Sequence, residues 1–235
     1  QARRGRRPYL PLMVTLSAVV ALAAWGSVRM SRGALTREGE PVRVGVVQGN
    51  VDQADKVLAT RSAQVFRDYL QMTRQAVFQG AQLVVWPESA TPFYFGEDAA
   101  AADQIRTLAR QAQVPILLGS DQIERSRPPR YYNSAFLVGA DGADAGVYQK
   151  MHLVPFGEYV PAKRLFFFMS RLVEAVSDFS PGLSPTLLSV GSHRISTSIC
   201  YEVVYPDLVR RFVRDGSELL STLLSPFPAT DWRLS

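Results

Sequence analysis

Thiols and imidazoles are nearly absent: the 235 residues include one cysteine, Cys200, and two histidines, His152 and His193. A lone thiol excludes a disulfide framework within one chain, and it excludes a cysteine-type metal site. Two imidazoles are too few for a histidine-based zinc centre. Zinc-finger spacing, an RNA-binding aromatic signature and a helix-turn-helix pattern are also lacking, so nucleic acid is not an expected partner despite the net charge of +5. No repeat of fixed period appears, and no long window is poor enough in apolar residues to argue for disorder. What remains is a chain with 47% apolar residues, enough for a buried core, and a single thiol whose surroundings must explain it.

Much of the positive charge sits in one place. Arg3, Arg4, Arg6 and Arg7 form a basic flank over residues 1–8. Residues 9–28 (YLPLMVTLSAVVALAAWGSV) then run without a charge. About 20 helical residues span roughly 30 Å, the thickness of a bilayer's hydrocarbon core. Tyr9 and Trp25 lie near the ends, where amphipathic rings prefer to sit. A transmembrane helix is therefore expected, with the arginines inside. A cleaved secretory signal fits the same basic and apolar order, although the apolar run is long for a signal core. Arg29, Arg32 and Arg37 compete with the first arginines for the inner side. Both readings place the rest of the chain outside the cytoplasm, after a linker at 29–41. The absence of an initiator methionine is read as the mark of a piece of something longer.

From residue 42 the pattern alternates between strand and helix. Val42–Gln48, Leu83–Trp86, Val114–Gly119, Asn133–Val138, Ala145–Lys150, Ile195–Cys200 and Glu218–Leu224 read as strands. Ala54–Phe78, Ala99–Ala112 and Asp207–Arg214 carry the spacing or composition of helices. Such alternation indicates an α/β domain with helices covering a sheet. Between Lys163 and Phe179, the run Leu165, Phe166, Phe167, Phe168, Met169 fits either buried core or an exposed apolar arm that meets lipid.

Three short motifs stand at predicted strand ends, where α/β sheets place their sites. They are Trp86-Pro87-Glu88-Ser89, Tyr148-Gln149-Lys150-Met151-His152 and Ser198-Ile199-Cys200-Tyr201-Glu202. Each alone is weak, because a carboxylate or a lysine past a strand is usually a surface residue. Together they supply a base, a cation and a thiol. A free thiol is mostly protonated near neutral pH, so a nucleophilic cysteine needs a group to take its proton. A carboxylate can do so, and an ammonium can stabilise the oxyanion that forms when sulfur attacks a carbonyl. Pairing of the thiol with His152 is the minor alternative.

The order Glu, Lys, Cys in these settings resembles the nitrilase, or carbon–nitrogen hydrolase, superfamily. The strings VVWPESATPF, YQKMHLVPFGEYVP and SICYEVVYPDLVR resemble its apolipoprotein N-acyltransferase branch over roughly residues 42–224. The resemblance implies an α-β-β-α sandwich preceded by a membrane helix, with its active site facing the periplasm from the bacterial inner membrane. It implies that Glu88 is the general base, Lys150 the oxyanion-stabilising cation and Cys200 the nucleophile. Glu158 matches a supporting second glutamate. Tyr201 and Glu202 match the pair that shapes the pocket after the nucleophile, and Trp86 and Pro87 position Glu88. Tyr159, Val160, Phe166 and Phe167 are expected at a lipid entrance. The implied reaction takes an acyl chain from a phospholipid, typically phosphatidylethanolamine, through a thioester at Cys200 to the amino terminus of a diacylated apolipoprotein. It needs no metal and no organic cofactor.

Two departures accompany the resemblance. One membrane helix is visible where the family has several, and the tail at 225–235 does not resemble the family. The expectation from these departures is a chain that keeps its catalytic residues but is inactive or poorly folded alone. A membrane-tethered amidase using water as acceptor and a non-enzymatic scaffold stand as alternatives.

Overall fold

The computed structural model describes residues 9–33, 39–49, 59–160 and 179–224. The chain separates into two compact units, one up to Pro41 and one from Val42 onward.

The first unit is dominated by helix α1, Leu10–Arg32. By length and composition it can cross a membrane, and it buries none of its residues. The helix outlasts the apolar run by four residues, so the expected linker at 29–41 begins inside it. Arg29 and Arg32 fall in its last turn, where cations complement the negative end of the helix dipole. Arg29 also lies 5.3 Å from the centre of the Trp25 ring. The helix stops at Gly33, whose φ of 62° supplies the left-handed cap that favours glycine.

The second unit is built on two sheets. Strands β1 (Val44–Val46), β2 (Leu83–Val85), β3 (Ile116–Glu124), β4 (Arg130–Val138) and β5 (Asp144–Gln149) form the first, in sequence order. The first three are parallel, joined by helices α2 (Ala59–Phe78) and α3 (Ala99–Ala112); β4 and β5 are added antiparallel. The second sheet holds β6 (Leu188–Val190), β7 (His193–Ile199) and β8 (Leu219–Leu223). A 3-10 turn at Cys200–Val204 and helix α4 (Pro206–Arg214) connect β7 to the parallel β8.

Strand alternation sorts the core into two layers. Val84, Trp86, Ile116 and Leu118 face the helices and pack on Phe66, Tyr69, Ile105 and Leu108. Leu83, Val85, Leu117 and Leu137 point the other way and meet Leu188, Ile195, Ile199 and Leu223 of the second sheet. Phe212 of α4 joins that second layer, edge-on to Tyr148 at 5.7 Å. Helix α3 has the expected bounds because its start is explicit: Asp98 caps it by accepting the Ala101 amide at 3.0 Å. Residues 54–58 of the expected second helix and the tail at 225–235 lie outside the described residues.

Candidate active site

Glu88 follows β2 by three residues, and Lys150 and Cys200 directly follow β5 and β7. Two sheets thus contribute to one site at their ends. The turn that carries Glu88 is pinned by β3. Gly119 donates to the Pro87 carbonyl at 3.2 Å and accepts from the Ala90 amide at 2.9 Å. A Cβ at Gly119 would collide with the Pro87 carbonyl oxygen and stand 2.7 Å from the Glu88 Cα, so only glycine lets β3 come this close. Gly119→Ala is expected to lower stability by about 1–3 kcal/mol and to displace Glu88. A urea melt measures the loss; a parent-like midpoint would show that the turn tolerates the shift. Trp86, fully buried, fixes the same turn from behind. Its Nε1 donates to Thr73 Oγ1 at 2.8 Å, and its ring packs at 5.0 Å from Tyr69.

The charged groups meet under cover. Lys150 is 1% exposed, and its Nζ donates to Glu158 Oε1 at 2.8 Å while standing 3.7 Å from Glu88 Oε1. Glu158 is set by its own loop, since its second oxygen accepts the Val154 amide at 2.9 Å. Between the two carboxylates lies Asn133, whose Nδ2 donates to Glu88 Oε1 at 2.7 Å and to Glu158 Oε1 at 2.9 Å. Sequence reading missed this residue. The available signal was an asparagine inside a strand-like run, a residue type depleted in strands.

Cys200 opens the 3-10 turn with φ of 55°, in the left-handed region that non-glycine residues rarely adopt. The turn leaves its side chain half-buried. Its thiol is pushed above the ordinary range, first by burial and next by the negative charge of Glu88; Lys150 and the Tyr201 backbone pull the other way. The neutral thiol is the favoured resting form, and thiolate appears later than usual as pH rises. Iodoacetamide labelling of Cys200 should therefore accelerate with pH through a midpoint above that of a free cysteine peptide. A midpoint below the peptide's would show a pre-formed thiolate and remove the need for a base.

Glu202 is buried completely and turned away from solvent. Its oxygens accept from the amides of Met151 at 2.7 Å, His152 at 3.0 Å and Ile199 at 2.9 Å, and from the Tyr148 hydroxyl at 2.9 Å. It shapes the site through the main chain, by tying the exit of β5 to the turn of Cys200. Tyr201 is 58% exposed and Tyr159 half-buried. His152 stacks on Tyr205 at 4.1 Å and faces Glu202. Phe166 and Phe167 lie outside the described residues. Among those described, no cluster of His, Cys, Asp and Glu is suited to a metal ion.

A buried carboxylate, an ammonium and a thiol thus stand at the strand ends of two packed sheets, the residue types of the carbon–nitrogen hydrolase class. The carbon–nitrogen hydrolase family model matches residues 43–234, past the boundary drawn at 224 from sequence, and the chain belongs to that family. Within it, the chain is similar to proteins named apolipoprotein N-acyltransferase. It is 39% identical over 223 residues to that of Geobacter metallireducens, covering 93% of this chain and 42% of the relative. It is 33% identical to that of Rhizobium meliloti, covering 92% and 43%. The chain thus spans less than half the length of these curated relatives. Among solved structures, an amidase from Nesterenkonia sp. superposes with a TM-score of 0.58 at 22% identity, covering 82% of this chain and 68% of that one. A carbon–nitrogen hydrolase from Helicobacter pylori G27 gives 0.55 at 22%, covering 78% and 59%. At that identity the likeness is one of fold.

Proposed function

We propose that this chain carries the catalytic domain of an apolipoprotein N-acyltransferase, which moves an acyl chain from a phospholipid to the amino terminus of a diacylglyceryl-cysteine lipoprotein. The observation that carries this reading is the buried Glu88–Asn133–Glu158–Lys150 cluster, whose charges act on the thiol of Cys200, in a chain whose relatives bear that name.

In the first half-reaction Glu88 takes the Sγ proton as sulfur attacks the ester carbonyl of the phospholipid, phosphatidylethanolamine being the expected donor. The Lys150 ammonium stabilises the resulting oxyanion, an effect worth about two to three orders of magnitude in comparable sites. Collapse breaks the ester bond; the lysophospholipid alkoxide leaves with the proton held by Glu88, and a thioester remains on Cys200. In the second half-reaction the lipoprotein's free amine attacks the thioester and passes a proton to Glu88. The thiolate leaves and is reprotonated, giving an amide and the resting enzyme. No metal or organic cofactor takes part. An acceptor amine outcompetes water only where water is scarce, which fits a site whose charged groups are buried. Helix α1 serves as a membrane anchor, with the catalytic domain on the periplasmic side of the bacterial inner membrane.

The test is intact-protein mass spectrometry after incubation with phosphatidylethanolamine in detergent. An acyl adduct that maps to Cys200, is released by hydroxylamine and is absent from Cys200→Ala supports the thioester; transfer onto a diacylated lipopeptide supports the acceptor. Turnover of small amides without lipid adduct would favour a tethered amidase. A folded chain with neither activity would favour a scaffold.

A further inference from the structure

Two carboxylates, Glu88 and Glu158, converge on the ammonium of Lys150 in a buried site. Like charges at short range in low dielectric repel strongly. The Asn133 carboxamide stands where that repulsion would act. Its two Nδ2 hydrogens go one to each glutamate, at 2.7 and 2.9 Å. The amide orientation is fixed by chemistry, since the flipped form would aim Oδ1 at two carboxylate oxygens. Oδ1 itself is buried and has no hydrogen-bond partner among the described residues, so the carboxylates, not Oδ1, hold the side chain in place. The main chain of Asn133 reaches the third charged group as well, because its carbonyl accepts the Lys150 amide at 2.9 Å. One residue on β4 therefore touches the proposed base, the supporting glutamate and the strand end that carries the cation.

We propose that Asn133 is a positioning residue for acyl transfer: its carboxamide bridges Glu88 and Glu158 so that Glu88 stays lodged beside Lys150 and ready to receive the Cys200 proton. The proposal rests on the assignment of Glu88 as base and Cys200 as nucleophile, and it is independent of the lipid donor. Among the described residues, the charged groups around it are Glu88 past β2, Lys150 past β5, Glu158 in the following loop, and Asp121 of β3, which faces Asn133 in the β3–β4 register and accepts from Ser89.

The test uses the full chain and p-nitrophenyl butyrate, an activated ester that reads the acylation half alone. The readouts are the nitrophenolate burst and the mass gained at Cys200. Asn133→Ser removes the bridge, and Asn133→Asp keeps its shape but has no donor once ionised. Both are expected to slow the burst at saturating ester by about tenfold or more, a fraction of what a general base contributes, while the half-saturating ester concentration stays within about twofold. The two variants then part with pH. A protonated carboxyl at position 133 can donate one of the two lost hydrogen bonds, and an ionised one repels both glutamates. The burst rate of Asn133→Asp relative to the parent should therefore fall as pH rises from about 5 to about 8, whereas that of Asn133→Ser should change less. A merely structural residue would not produce this opposition. Parent-like burst rates in both folded variants would overturn the proposal and leave the thioester reading standing. A parent chain with no burst, and no added mass at Cys200, would overturn both together.

Discussion

Lys150→Met is expected to lower folding stability by about 3–5 kcal/mol and to reduce acylation of Cys200 by at least about a hundredfold. The two losses have one origin. Lys150 is the cation that Glu158 contacts at 2.8 Å and Glu88 approaches at 3.7 Å, and all three side chains are nearly sealed from solvent. Removing an ion-paired partner from such a place strands the other charges, which is why the penalty exceeds the net worth of the pair itself. Methionine keeps most of the volume, so a cavity is not the cause of the deficit. Urea unfolding of parent and variant measures the deficit. A deficit under about 1 kcal/mol would mean that the carboxylates are hydrated rather than paired. The rate loss is separate, because the oxyanion in acyl transfer loses its only proposed cationic partner. A melt and an acylation burst on the same sample distinguish a misfolded variant from a folded, inactive one.

The elements most visible in the sequence were those whose signal is local. Leu83–Trp86 read as a strand, of which the structure keeps Leu83–Val85, because a run buried on both faces needs unbroken apolar residues. Glu88, Lys150 and Cys200 were singled out because each stands at or just past the end of an expected strand. Strand β3 was cut short at Gly119, although it continues to Glu124. Its second half is Ser120, Asp121, Gln122, Ile123 and Glu124, and what makes it a strand is nine-residue pairing with β4, from Ile116–Val138 to Glu124–Arg130. Strand β6, three residues long, has no periodicity to read and exists through its pairing with β7. The same limit hid Asn133, whose partners lie 45 and 25 residues away in sequence. The resemblance to a known family supplied Glu158, Tyr201 and Glu202, but not what Glu202 does.

That role predicts a second large effect. Glu202→Ala is expected to destabilise the chain by more than about 4 kcal/mol, most of it from groups left behind. The amides of Met151, His152 and Ile199 and the hydroxyl of Tyr148 all donate to this carboxylate. Each would lose its acceptor, at about 1–3 kcal/mol apiece for the buried Ile199 amide and Tyr148 hydroxyl and less for the part-buried Met151 and His152 amides. Glu202→Gln is the gentler variant: one oxygen remains, but the new amino group faces an N–H where an acceptor stood, and about 2 kcal/mol should be lost. Tyr148→Phe removes one donor and leaves the carboxylate its three amides, so a loss near about 1.5 kcal/mol is expected. The Tyr148 hydroxyl is held far above its ordinary range, by burial and then by the charge of Glu202, so it remains a donor at every pH the fold survives. A double-mutant cycle on Tyr148→Phe and Glu202→Gln should therefore show coupling that is insensitive to pH across the neutral range. The consequence for chemistry runs through the same bonds. Glu202 joins Met151, next to the proposed oxyanion cation, to Ile199, next to the proposed nucleophile, and so sets the spacing of Lys150 and Cys200 without touching either side chain. In folded Glu202→Gln the acylation rate should fall at saturating ester while half-saturation holds. A rate that stays at the parent level despite the stability loss would show that the two strand ends keep their spacing through the packing of Tyr148, Phe212 and Ile199 alone.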